Sequence, residues 1–267
     1  IVLISDRAGK AITTIAEGLI PSGYTTPMPS SVTIADGGSL IDPSNKITNV
    51  TIQRKLRVGK WNLLGLTQSG PQNCSILNNN KGLNANGTTN TNIHDMAAVK
   101  YDYSTNLWNT TYLIAGTDQF TTGEGYYVWP LTDLITVENG TVSYPGTSGT
   151  ETYTILSQTA APYTSDIAMN KTNITTPTGQ TETNKGVWFA LANPYMSSLK
   201  ASEICSANGI TNTQGINKVY VYNPASNAWE TSTYIKPGYG FMVASAENAA
   251  SLIGKLTMRT TNSKSMT

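Results

Sequence analysis

The sequence predicts an all-β protein: two related β-sandwich-like units, preceded by N-terminal strands of edge or β-helix-like character. Three observations carry this. Apolar runs are short, four to eight residues, rich in β-branched and aromatic side chains and separated by Gly, Asn, Pro and Ser, the pattern of strands between turns. Charged residues are only 12% of the 267, roughly half the usual share, and polarity comes instead from Thr, Ser, Asn and Gly, which suit strands and turns. Third, the same landmarks recur in the same order on two passes along the chain.

Taken in order, the expected strands are "IVLIS" at 1–5, "SVTIA" at 31–35, "NVTIQRKL" at 49–56, "WNLLGL" at 61–66, "GYYVWP" at 125–130, "TYTILS" at 152–157, "VWFALA" at 187–192, "KVYVYN" at 218–223 and "YGFMVAS" at 239–245. In "NVTIQRKL" the alternation puts Val50, Ile52 and Arg54 on one face and Thr51 and Gln53 on the other. Helical periodicity is best in "SSLKASEICSANGI" at 197–210, where Ser197 or Ser198 is the expected cap, Leu199 and Ile204 point inward, and Gly209 is the stop. In "VWFALANPY" the apolar run ends at Asn193-Pro194-Tyr195. Proline has no N–H to continue a ladder and asparagine can satisfy a turn, so this reads as a strand terminus.

The duplication rests on three alignments. Trp61 leads "WNLLGL" and Trp188 leads "WFALANP"; "VKYDYSTNLW" ending at Trp108 matches "VYNPASNAW" ending at Trp229; "TGEGYYVW" at 122–129 matches "PGYGFMVA" at 237–244. Tyr101 then corresponds to Tyr222, Asp102 to Asn223, Asn106 to Asn227, Gly123 to Gly238 and Gly125 to Gly240. Each pass reads as a Trp-led buried strand, a variable loop, a hairpin ending in a Trp that caps the core, and a Gly-x-Gly-aromatic strand whose glycines admit a close neighbour. The boundaries follow: 1–56 for the N-terminal strands, 57–150 and 151–258 for the two units, and 259–267 for a linker. The opening "IVLISDRAGKA" lacks signal-peptide character and reads as a strand entered mid-sequence, so a mature fragment or a piece of a longer polypeptide is expected.

A net charge of +1 with no basic run offers no electrostatic footprint for nucleic acid, and no apolar run approaches the length of a membrane span. No cofactor is implied. His94 is the single histidine and there is no C-x-x-C, so zinc and thiolate–imidazole chemistry lack material. Cys74 and Cys205 follow Trp61 and Trp188 at similar distances and are candidates for a disulfide if the units pack face to face.

Asp102, Asp118, Glu124 and Asp133 cluster loosely in sequence, but each sits in a turn signal and reads as a solvated turn residue and not as one of a pair of glycosidase acids. His94-Asp95 has no activated nucleophile and reads as a loop anchor. Asp36, Asp42 and Asn45 offer oxygen ligands without the acid density of a calcium loop. The aromatics remain. Trp108 and Trp229, with Tyr112 and Tyr239, are the candidate ligand-binding residues, because exposed aromatic faces stack on the apolar patches of sugar rings. The competing reading, which the sequence favours, is that repeated tryptophans fill homologous cores.

The succession "IVLISDRAGKA", "VTIQRKLRVGKWNLLG", "GEGYYVW", "GVWFALANPYMSSL", "VYVYNPASNAW" and "PGYGFMV" resembles the non-catalytic β-rich region of large Bacteroidota surface and secreted proteins exported by type IX secretion. Asn193-Pro194-Tyr195 matches that pattern, while Ala192, Met196 and Tyr239 stand where glycine, proline and glutamine are usual. The resemblance implies a β-helix-like rung at "VTIADGGSLID" with Gly37-Gly38 at its bend, and export, surface display and no reaction of its own. A structural or adhesive module is therefore expected, contacting other cell-surface or outer-membrane proteins or further domains of the same chain. A glycan-binding module is the alternative.

Overall fold

The computed structural model describes residues 15–20, 31–42, 45–73, 96–113, 117–130, 136–138, 141–143, 153–171, 188–210, 219–244 and 255–258. Among them are twenty strands and one short helix, so the class is all-β. The expected strand at 1–5, the Asn/Gly/Thr-rich run at 78–92, His94, Asp95, Asp133, Cys74 and the 259–267 linker lie outside the described residues.

β1 (Ile15–Leu19), β2 (Val32–Ile41) and β3 (Val50–Arg57) run parallel in that order. Ile15 pairs with Ile34 but Glu17 with Ser39. The Gly37-Gly38 segment therefore bulges out of β2, with Gly37 at φ +75°, the conformation that glycine tolerates best. β3 shows the expected alternation: Val50, Ile52, Arg54 and Leu56 are buried.

After β3 come β4 (Asn62–Leu64), β5 (Gln72–Asn73), β6 (Met96–Asp102), β7 (Leu107–Trp108), β8 (Gln119–Phe120) and β9 (Tyr126–Pro130). A small hairpin, β10 (Thr136–Glu138) with β11 (Thr141–Ser143), precedes β12 (Tyr153–Ala160). β13 (Ile167–Asn170), β14 (Trp188–Ala192) and β15 (Leu199–Lys200) lead into α1 (Ala201–Ala207). β16 (Tyr220–Asn223), β17 (Ala228–Thr231), β18 (Tyr234–Ile235), β19 (Gly240–Ala244) and β20 (Lys255–Met258) complete the chain.

The pairing repeats strand for strand. One four-stranded sheet has the order β4-β9-β6-β7 and the other β14-β19-β16-β17; β5 pairs with β8 and β15 with β18; β3 pairs with β12 and β13 with β20. Every one of these pairs is antiparallel. Each unit is thus a nest in which the first strand closes on the last and the second on the one before it. β3, which spans the expected boundary at 56/57, shares a sheet with β12, which lies beyond the expected boundary at 150/151.

The cores repeat as well. Leu56, Leu64, Ala98, Phe120, Tyr126, Val128 and Leu156 fill the first unit. Met169, Leu191, Val219, Ile235, Phe241, Val243 and Met258 occupy the matching places in the second. The helix differs from the sequence expectation. Leu199 belongs to β15, the N-cap is Lys200 with no side-chain bond, and α1 is only seven residues long. Ser197 and Ser198 are not caps: both are buried, and the Ser198 N–H donates to Ser39 Oγ at 2.9 Å. Ile204 does point inward, and Gly209, at φ +65°, follows the helix.

Candidate functional site

Strands of period 2 expose two faces, and in this chain both are used. Tyr126 and Val128 of β9 enter the first core, so Tyr127 must point the other way; in β19, Phe241 and Val243 enter the second core and Met242 points away. Leu63 and Ala190 do the same on β4 and β14. These outward residues meet one another. Leu63, Val99, Tyr101, Tyr127, Ala190 and Met242 form one buried cluster shared by both units, edged by Trp61, Tyr103, Trp108, Trp188, Tyr220 and Tyr222. That double burial is why "WFALA" and "YYVWP" read as continuous apolar runs and not as alternating ones.

The seam is closed by backbone contacts that come in equivalent pairs. Leu64 bridges Tyr239, and its counterpart Leu191 bridges Glu124, the counterpart of Tyr239. Gly65 N–H donates to Gly238 O at 3.3 Å and Ala192 N–H to Gly123 O at 2.9 Å. Gly125 N–H also donates across, to Ala190 O at 2.9 Å. A Cβ on Gly125 would lie 2.5 Å from Leu191 O, and one on Gly240 would lie 3.0 Å from the Leu63 and Leu64 backbone. Side chains at these places would wedge the units apart. A Cβ on Gly65 would lie 2.1 Å from Ala192 Cβ. Gly65 and Ala192 are themselves equivalent, and the bridges and bonds around them are reciprocal, each unit giving to the other what it receives, as a two-fold requires. The units are therefore related by a pseudo-two-fold passing between Gly65 and Ala192.

The hairpin turns are duplicated down to the hydrogen bond. Asp102 Oδ1 accepts from Ser104 N–H and Asn223 Oδ1 from Ala225 N–H, both at 2.8 Å. Asn106 and Asn227 take positive φ, +57° and +53°, and their side-chain oxygens accept from the hydroxyls of Tyr101 and Tyr222. Asn is among the few residues that tolerate this conformation. The Asp102 carboxyl, bonded by the Ser104 hydroxyl and N–H, is held below the usual carboxylate range.

Equivalent positions also fasten the flanking strands, by different chemistry. Tyr239 lies under the Arg54 guanidinium, 3.2 Å from ring centroid to Cζ, and its hydroxyl donates to Asp36. Arg54, 5% exposed, also pairs with Asp36 and donates to Gly238 O. Glu124 instead pairs with Lys171, accepts from the Tyr126 hydroxyl at 3.0 Å, and places Lys171 Nζ 4.6 Å from the Tyr103 ring. Burial pushes the hydroxyls of Tyr101, Tyr103 and Tyr127 well above their ordinary range, and the nearby Glu124 charge adds to this at Tyr103.

The four aromatic candidates fall in three places. Trp108 and Trp229 come together at the seam, 4.0 and 6.0 Å from the Tyr127 ring; neither fills its own unit's core, as the core-filling expectation had it. Trp108 is half-buried, while 39% of Trp229 is exposed. Tyr239 belongs to the Arg54 latch, and Tyr112 stands apart on the surface. Cys205 is half-buried on α1 with its thiol pushed up by burial, and its pairing with Cys74 falls outside the described residues. Asp36 serves Arg54 and Tyr239, and Asp42 Oδ2 accepts from Ile47 N–H at 2.7 Å. No group of three or more metal-ligating residues converges among the described residues, and no helix among them is long and apolar enough to cross a membrane.

Sequence reasoning did not single out Asn193 beyond its turn, yet it is fully buried and ties that turn to β18. Its Nδ2 donates to Ser197 O and Ile235 O, both at 2.8 Å, and its Oδ1 accepts from Tyr195 N–H at 2.9 Å. Tyr195 then reaches back to Ser165 O at 3.0 Å, on the segment joining the units. The signal was present in "ANPY", an amide just before a proline at a strand end.

Comparison of the chain with protein-family models, with curated proteins and with solved structures finds no match.

Proposed function

We propose that this chain is a non-catalytic structural and adhesive module of an exported bacterial surface protein, supplying spacing, display and protein–protein contact. The observation that carries the reading is the seam. Two copies of one β unit are clasped through backbone bridges and a buried aromatic cluster, which makes a stiff block and not two hinged lobes. The polar groups around the seam hold turns and latches: Asp102 in its turn, Glu124 with Lys171, Arg54 with Asp36 and Tyr239. The resemblance to the β-rich region of Bacteroidota type IX cargo supports export and display. Calorimetry tests the stiffness. A block gives one transition whose calorimetric and van't Hoff enthalpies agree, whereas two separate transitions contradict it.

A second reading is favoured by Trp229, whose ring stands exposed beside a turn in which the Asn223 and Ser226 side chains donate to the Glu230 carboxylate. An exposed aromatic face beside hydrogen-bonding side chains suits a sugar ring. A glycan array run with the native chain and with Trp229→Ala decides it. Binding lost in the variant supports a glycan site, and no binding, or binding unchanged in the variant, removes it.

A further inference from the structure

We infer that the tryptophans strung along one end of the seam form a single elongated site for a neutral, extended glycan chain of several sugar units. This rests on the glycan reading of Trp229 and extends it from one ring to a strip that both units build.

The strip is continuous in ring contacts. Trp129 and Trp61 stand 5.3 Å apart, Trp61 and Tyr127 5.7 Å, Tyr127 and Trp229 6.0 Å, and Trp229 and Tyr222 5.3 Å. Strand register explains why they share a face. Ala97 pairs with Trp129, Val99 and Leu63 both pair with Tyr127, and Tyr222 pairs with Trp229. Trp61, two residues before Leu63, therefore faces the same way as Tyr127 and Trp129. Tyr127 is buried beneath the others; Trp61, Trp129, Trp108 and Tyr222 are half-buried and Trp229 is exposed. Rings that touch in series while each keeps some surface in water make a contiguous apolar patch. Such patches mark binding surfaces, as scattered single residues do not.

The second unit closes without such a strip. The positions equivalent to Tyr127 and Trp129 are Met242 and Ala244, both buried, and the backbone bonds that clasp the seam are reciprocal between the units. Clasping therefore does not require aromatic rings at these two places, and packing alone does not account for them.

The surrounding chemistry selects the ligand. Leu63, Ala97 and Thr231, the same-face neighbours of the strip, are uncharged. Glu230, next along β17, points to the opposite face, where Asn223 and Ser226 donate to it. At the exposed end the Tyr222 hydroxyl donates to the side-chain oxygen of Asn227, itself exposed, and the Asn227 amide nitrogen is a donor for a sugar hydroxyl. An uncharged aromatic surface with amide and hydroxyl groups at its rim matches a neutral sugar, whose C–H patches lie on the rings. One terminal sugar would cover Trp229 alone, whereas a row of rings takes successive units of one chain. A β-linked glucose chain runs extended and presents such patches along its length; an α-linked one curls.

The experiment titrates the native chain calorimetrically with cellohexaose, cellobiose and maltohexaose, and repeats this with Trp129→Ala, Trp229→Ala and Tyr112→Ala. Trp129→Ala installs the residue that the second unit already carries, and Tyr112 stands on the surface apart from the strip. Cellohexaose is expected to bind about tenfold more tightly than cellobiose, each tryptophan variant to bind it about tenfold more weakly, and Tyr112→Ala to bind as native. Loss in Trp229→Ala with Trp129→Ala unchanged overturns the strip and leaves the single-ring glycan reading standing. Equal affinity for cellohexaose and cellobiose, or tighter binding of maltohexaose, overturns the extended chain. No sugar bound by the native chain removes both readings, and a proline-rich peptide that binds instead and is lost with Trp129→Ala makes the strip a peptide site. Should Trp129→Ala fail to fold, oxidation of the native chain by N-bromosuccinimide, mapped by mass spectrometry, decides. Cellohexaose must then protect Trp61, Trp129 and Trp229 together, and protection of Trp229 alone overturns the inference.

Discussion

Gly65→Ala is the sharpest perturbation of the pseudo-two-fold. Its added methyl would lie 2.1 Å from Ala192 Cβ and 2.6 Å from Glu124 O. Carbon atoms in contact sit about 3.5–4.0 Å apart, so the seam must part by more than an ångström. Overpacking of a closed core costs about 1–3 kcal/mol and occasionally more; with a backbone oxygen among the obstacles, about 3 kcal/mol is expected. A glycine-to-alanine change with free space would instead stabilise by about 0.4–1 kcal/mol, so the sign itself is informative. Ala192→Gly alone costs about 1.5 kcal/mol, from one buried methyl and added backbone freedom. If the two positions meet on the axis, Ala192→Gly makes room for the new methyl. The double variant should then be about 2–3 kcal/mol less stable than native, not the additive 4.5 or so. Urea unfolding followed by tryptophan fluorescence measures all four proteins. Strict additivity, or a Gly65→Ala chain as stable as native, refutes the two-fold contact.

Other outcomes follow from the same geometry. Asn193→Ala should cost about 3–5 kcal/mol in urea unfolding, because it strands two buried carbonyls and an N–H; Asn193→Asp, though the same shape, should be no better, since it turns an oxygen toward Ser197 O and Ile235 O. Arg54→Lys should lose about 1–2 kcal/mol, because lysine cannot serve Asp36, Gly238 O and the Tyr239 ring at once. The seam tyrosines have raised folded-state pKa values, so their contribution is intact below the unfolded value of about 10 and is lost as pH rises above it. Stability should fall by up to about 1.4 kcal/mol per pH unit per tyrosine, and absorbance at 295 nm should show them ionising only as the chain unfolds. Trp108→Ala should destabilise by about 2–3 kcal/mol and Trp229→Ala by under about 1, and equal losses in thermal unfolding would contradict their unequal burial.

Much of this architecture was legible in the sequence because the repeat carries its own alignment. The spacing of Tyr101, Asn106 and Trp108 against Tyr222, Asn227 and Trp229 fixed the hairpins, and Gly125 and Gly240 announced a close approach that the seam then supplied. What stayed hidden was direction. A run such as Trp188–Ala192 says that both faces are buried, but not that one face meets its own unit and the other meets the copy. Trp108 and Trp229 were misplaced for that reason: a repeated tryptophan fits a duplicated core and a shared seam equally well. The helix start differs from the expectation because Ser197 and Ser198, which look like caps, are buried before β15, where the Ser198 N–H donates to Ser39 Oγ of β2. The latches could not be foreseen, since Arg54 and Asp36 meet Tyr239 about two hundred residues away in sequence only once the axis exists.

Hydrogen exchange at the amides of Gly125 and Ala192 tests the clasped duplicate most directly. Both donate across the seam, to Ala190 O and Gly123 O, while the amides of Val128 and Val243 lie in the central strands of the two units. If the units form one block, all four exchange only through global unfolding and report the same opening free energy. Exchange at Gly125 and Ala192 that is fast while Val128 and Val243 stay protected would mean the units part on their own, and would contradict the account.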